Sequence, residues 1–138
     1  MIRKYAAFLM LSLLPIKSFS EIYVVTGTRS NIASLTRSEA IALFLGYANV
    51  SSGKNSAVLV DLPSGNTRDE FYEKLTGKSN VQINAHWSKL VFTGKAMPPN
   101  EAKNVTEAKE TISSGFNVIG YVSRSDLSSA MKVLYIVQ

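Results

Sequence analysis

The sequence predicts one α/β domain in which a mostly parallel sheet carries helices on both faces. Three observations predict it. Short β-branched and aromatic runs alternate with longer stretches of helical periodicity. The helical stretches open on Ser, Thr or Asn and close on Gly. The run A-V-L-V at 57–60 hardly alternates apolar with polar, the pattern of a strand buried on both faces. At 138 residues there is room for one such domain and not for two.

Residues 1–20 stand apart. Met1-Ile2-Arg3-Lys4 is basic, 5–16 is apolar but too short for a stable membrane span, and Ser18 and Ser20 fall at the −3 and −1 positions of a cleavage site. This reads as a signal peptide cut after Ser20, leaving an exported domain at 21–138 in a bacterial periplasm. The full chain has 15 Lys+Arg, 10 Asp+Glu and a net charge of +5; Arg3, Lys4 and Lys17 leave with the signal, so the domain keeps +2. So small an excess argues against nucleic acid as a partner. The absence of cysteine excludes disulfides, iron–sulfur clusters and thiol catalysis. The hydrophobic core must therefore stabilise the domain alone.

The elements follow in order. I-Y-V-V-T at 22–26 is a first strand. Thr36-Arg37-Ser38-Glu39 is a capping box opening a helix on which Ile41, Phe44 and Leu45 share a face, and Gly46 suits its end. Residues 48–56 read as a polar loop, and 57–62 as the second strand. A helix over 67–77 presents Phe71 and Leu75 inward. Ser79-Asn80-Val81-Gln82 is a further capping box, and Ile83, Trp87, Leu90 and Val91 line the buried face of the helix that Gly94 stops. Residues 96–102, with Pro98-Pro99, read as an exposed connection. Asn104 opens a fourth helix with Val105, Ala108 and Ile112 inward. F-N-V-I-G-Y-V at 116–122 is a strand, 123–130 a loop or short helix capped by Ser125, and M-K-V-L-Y-I-V at 131–137 the last strand.

The stretch 61–71, D-L-P-S-G-N-T-R-D-E-F, holds the candidate site. A strand feeds a tight turn that opens a helix, whose first amides lack intrahelical partners and whose dipole favours negative charge. Ser64, Gly65, Asn66 and Thr67 offer backbone and side-chain donors to an oxyanion, and Arg68 a cationic fork. The same residues also fit a plain N-cap at Asn66 or Thr67, with Thr67-Arg68-Asp69-Glu70 as a capping box.

Catalytic and metal patterns are missing. His86 is the one histidine and falls on the polar side of its helix, as a solvated surface residue. There is no G-x-S-x-G elbow. Gly77-Lys78-Ser79 has Tyr72 where a P-loop needs glycine. Trp87 shares its helical spacing with Ile83 and Val91, which reads as core. No enzyme activity, cofactor or metal is expected.

Four segments in order resemble the short relatives of the periplasmic phosphate-binding receptors of ABC transporters. They are Ala42-Leu43-Phe44-Leu45-Gly46; Ser64-Gly65-Asn66-Thr67-Arg68 with Phe71; Trp87 followed by Val91-Phe92-Thr93-Gly94-Lys95; and the strand 116–122. The resemblance implies one lobe of a type II periplasmic binding protein fold. It also implies phosphate or a similar oxyanion as ligand at Ser64, Gly65, Asn66, Thr67 and Arg68. Full receptors close two lobes on phosphate, so a second copy or a membrane protein is expected to supply the missing lobe. Two departures stand out: Val60 occupies the place of the receptors' arginine, and Asn66 interrupts the Ser-Gly-Thr turn. They support an alternative, a periplasmic interaction module that has lost the pocket and docks on a membrane sensor or signalling protein.

Overall fold

The computed structural model describes residues 21–48, 51–52 and 55–138; the expected signal peptide lies outside them. The order is β1 (Ile22–Gly27), α1 (Arg37–Phe44), β2 (Ser51–Ser52), β3 (Asn55–Ser56), β4 (Val58–Asp61), α2 (Asn66–Thr76), α3 (Asn80–Phe92), β5 (Asn100–Glu101), α4 (Val105–Ser114), β6 (Val118–Ser123), a 3₁₀ turn (Arg124–Asp126) and β7 (Met131–Val137). Strands β5-β4-β6-β1-β7 form one open sheet. β4 pairs in parallel with β5 and β6, while β1 runs antiparallel between β6 and β7. Four strands thus share a direction and one opposes them.

The pleat sends alternate residues of β1 to opposite faces. Ile22 and Val24 join the larger core with Phe44, Phe71, Tyr72, Leu75, Ile83 and Trp87, so α1, α2 and α3 cover that side. Tyr23 and Val25 meet Ile112 of α4, Val122 and Met131 on the other. Helices on both faces, as expected, bury all six residues of β1 and the four middle residues of β6. α4 approaches closely because two glycines face it. A Cβ on Gly120 would lie 2.5 Å from Ile112 Cδ1, and one on Gly27 only 2.8 and 2.9 Å from the Ile112 and Gly115 carbonyl oxygens.

Several sequence expectations change. Residues 48–56 include a two-residue antiparallel pairing, Ser51 with Ser56 and Ser52 with Asn55, and 96–102 contains the edge strand β5. Both pairings are too short to show a period. β4 is not buried along its length: Val58 is exposed, because β5 pairs only with Val60 and Asp61 and leaves the start of β4 uncovered. On α3, Ile83 and Trp87 are buried but Val91 is exposed, on the wall of an open cleft it shares with Pro98 and Pro99. Ser123, not Ser125, occupies the cap position of the 3₁₀ turn.

The tight seat of α4 gives a prediction. Gly27→Ala should cost about 2–3 kcal/mol, since backbone carbonyls cannot yield. Gly120→Ala should cost less, because the obstructing Ile112 methyl can rotate. Urea unfolding of both variants measures the difference.

Candidate functional site

Asp61 ends β4 at the point where the sheet meets the 64–67 turn, and it is buried. A carboxylate there must be fully satisfied. Tyr72 of α2 donates its hydroxyl to Oδ2 at 2.9 Å, Tyr121 of β6 donates to Oδ1, and Arg68 donates Nε–H to Oδ2 at 3.3 Å. The Arg68 guanidinium also donates to Asn80 Oδ1 at the start of α3 and sits 5.0 Å from the Tyr72 ring centroid. Around this pair, Phe71 stacks on Tyr121 at 3.7 Å and Phe44 meets Phe71 edge-on at 4.9 Å.

Burial works against the Arg68 charge, but the Asp61 carboxylate more than restores it and holds the guanidinium pKa above its ordinary value. Burial, then the Asp61 charge, pushes the Tyr72 and Tyr121 hydroxyls well above the usual tyrosine value. Both remain neutral donors.

The turn lies immediately outside. Ser64, Gly65 and Asn66 are exposed, Thr67 is half-buried and Arg68 is buried. The expected capping box over Thr67, Arg68, Asp69 and Glu70 does not form. The helix starts earlier, with Asn66 as its first residue and an extended Gly65 at the cap, which has no side chain to offer. Thr36, Ser79 and Asn104 each accept the amide three residues on in their own helices; α2 alone among the four begins without a side-chain cap. The structure thus brings Ser64, Gly65, Asn66 and Thr67 together at an open helix start and commits Arg68 inward to Asp61.

Sequence reasoning missed the role of Asp61 and its two tyrosines. The available signal was an acid closing an apolar strand with an arginine seven residues on. His86 is not a solvated bystander: its Nε2 lies 2.8 Å from the Leu45 carbonyl oxygen, and its ring meets Tyr47 and Trp87 edge-on. Trp87 is core as expected, with Gly46 pressed so close that a Cβ there would lie 2.7 Å from the indole Cη2.

No protein-family model matches the chain, and no curated protein matches it. Solved structures do. An ABC-type phosphate transport receptor from Vibrio cholerae superposes with a TM-score of 0.63 at 13% identity, over 83% of this chain and 45% of the receptor. A putative phosphate ABC transporter substrate-binding protein with bound phosphate from Clostridium perfringens gives 0.65 at 18%, over 83% and 44%. The fold is that of a phosphate-receptor lobe. A possible phosphate binding protein from Planctomyces limnophilus agrees, at 0.60 and 14%, over 83% and 40%. The chain spans less than half the length of these receptors. At such identities the likeness speaks for the fold, and phosphate is the ligand of the Clostridium protein.

Two predictions follow from the Asp61 cluster. Asp61→Asn leaves the buried Arg68 charge without its counter-ion and should cost about 3 kcal/mol, with Asp61→Asn/Arg68→Met recovering a large part of it in chemical denaturation. Because the folded-state pKa values of Tyr72 and Tyr121 lie above the unfolded value of 10.0, the unfolded chain releases protons first as pH rises. Stability should therefore be independent of these groups below pH 10 and fall above it, by up to about 2.7 kcal/mol per pH unit for the two together. Unfolding midpoints from pH 9 to 11.5, compared with a Tyr72→Phe/Tyr121→Phe variant, check the slope.

Proposed function

We propose that this chain is a non-catalytic, solute-binding-type domain of the periplasm that receives phosphate or a similar oxyanion at the start of α2. The observation that supports it is the uncapped first turn of that helix. It is exposed at a Ser-Gly-Asn-Thr turn, while the other three helices satisfy the equivalent amide with their own side chains. The amides of Asn66, Thr67 and Arg68 and the hydroxyls of Ser64 and Thr67 are the donors. Arg68 contributes no free charge, because Asp61 neutralises it, and the buried Val60 brings none. Such an open half-site binds weakly, since hydrogen bonds that stay solvated return little net free energy. A second copy or a membrane partner would complete it.

A second reading is favoured by that same charge balance. With Arg68 committed to Asp61 and Val60 in the core, the domain keeps the receptor fold without a receptor's cationic pocket. It then serves as an interaction module that docks on another protein.

Titrating the protein with phosphate while following backbone amide resonances separates the two. The anion-binding reading expects saturable shifts at Asn66, Thr67 and Arg68 with a Kd on the order of millimolar, weakened by competing sulfate. Unmoved amides at 50-fold higher phosphate than that Kd overturn it.

A further inference from the structure

Two of the helices end in the same way and at the same place. After α1 the amides of Gly46 and Tyr47 return to the carbonyls of Leu43 and Ala42 at 3.1 and 2.7 Å. After α3 those of Gly94 and Lys95 return to Val91 and Leu90 at 3.1 and 2.9 Å. Both glycines are left-handed, with φ of 77° and 67°, so each helix closes in a Schellman turn that folds the next residue back. The residues so returned, Tyr47 and Lys95, line one pocket with Gly46, His86, Lys89 and Leu90. Its volume is about 430 Å³, within the range of about 300–1,000 Å³ usual for small-molecule sites.

The pocket carries charge of one sign. Lys89 and Lys95 line it, no carboxylate does, and the sequence has no acidic residue between Glu73 and Glu101. Neither ammonium has an ion-pair partner among the described residues. A lysine at a helix end often serves the last carbonyls, but here those are taken. The turns themselves occupy Ala42, Leu43, Leu90 and Val91; the Thr93 amide and hydroxyl occupy Lys89, and His86 occupies Leu45. Both positive charges stay uncompensated, and in a concave site their fields add.

One wall is aromatic and fixed. His86 donates Nε2–H to the Leu45 carbonyl at 2.8 Å. Its ring meets Tyr47 and Trp87 edge-on, with centroids 5.5 and 5.7 Å apart. Tyr47 is 66% exposed, an anchored ring with most of its surface unused. We infer that this pocket binds a small organic dianion built on a flat ring, its charges beside Lys89 and Lys95 and its ring against Tyr47. Inorganic phosphate would answer the charge and leave the aromatic wall bare. A phosphate monoester and a dicarboxylate share the required chemistry. The site has no residue in common with the start of α2 and is independent of anion binding there.

His86 is the only histidine, so its ring proton resonances report this pocket alone. Phenyl phosphate, phthalate, benzoate and inorganic phosphate are titrated at constant pH and ionic strength, with the amides of Asn66, Thr67 and Arg68 followed in the same spectra. At least one of the two aromatic dianions should shift His86 saturably with a Kd on the order of 1 mM, and the tighter one names the head group. Benzoate, with the ring but one charge, and inorganic phosphate, with no ring, should each bind there about fivefold more weakly. Lys89→Gln/Lys95→Gln should weaken the aromatic dianion about fivefold or more, as two solvated ion pairs allow. Tyr47→Ala should weaken it without altering the response to inorganic phosphate. All three side chains are exposed, so circular dichroism should be unchanged. Absence of a saturable His86 shift with either dianion overturns the inference. So does equal binding of benzoate or inorganic phosphate, or a shift that survives the lysine substitutions. Shifts confined to Asn66, Thr67 and Arg68 overturn this pocket while supporting the site at α2, and shifts at His86 alone do the reverse.

Discussion

One buried carboxylate organises this domain. Asp61 stands at the end of β4, and what satisfies it comes from elsewhere in the fold: Arg68 and Tyr72 from α2, Tyr121 from β6 and, through Arg68, Asn80 from α3. Its backbone carbonyl takes the Ala102 amide as the chain leaves β5. A buried ion pair adds little net stability when compared with hydrophobic replacements, but breaking one is costly. Its value here is positional. The register of α2 against the sheet is set by the spacing of Arg68 and Tyr72, one helical turn apart, and both point to the same oxygen. Because α2 is fixed in that way, its first turn emerges at a defined place beyond the sheet.

The same interaction decides how the site should be understood. Arg68 lies in the position where local sequence alone would assign it to an incoming anion. The Asp61 side chain is nearer and permanent, so the guanidinium is spent within the fold. What remains at the turn is backbone polarity and two hydroxyls, a much softer attraction than a cationic pocket provides.

Much of the architecture was legible because each element obeyed a local rule. The capping residues Thr36, Ser79 and Asn104 marked three helix starts, and the β-branched runs marked β1, β6 and β7. The resemblance to phosphate receptors pointed to the lobe that structural superposition shows. What was not legible depends on neighbours in space. A two-residue strand such as β5 has no period to detect. The exposure of Val58 follows from where β5 stops pairing, and that of Val91 from a cleft opened by a distant connection, which no single helix or strand encodes. The direction of Arg68 was set by an acid seven residues earlier, and the start of α2 by a glycine whose lack of a side chain is what leaves the turn open. Four named site residues do gather at one helix start; the fifth serves the core.

β1 is the one strand that opposes the other four. It runs against its two neighbours, β6 and β7, which lie at the far end of the chain. Both partners of β1 therefore lie far along the sequence, a long loop to close by chain diffusion. Such non-local pairing slows folding, so the sheet closes late relative to the local helices.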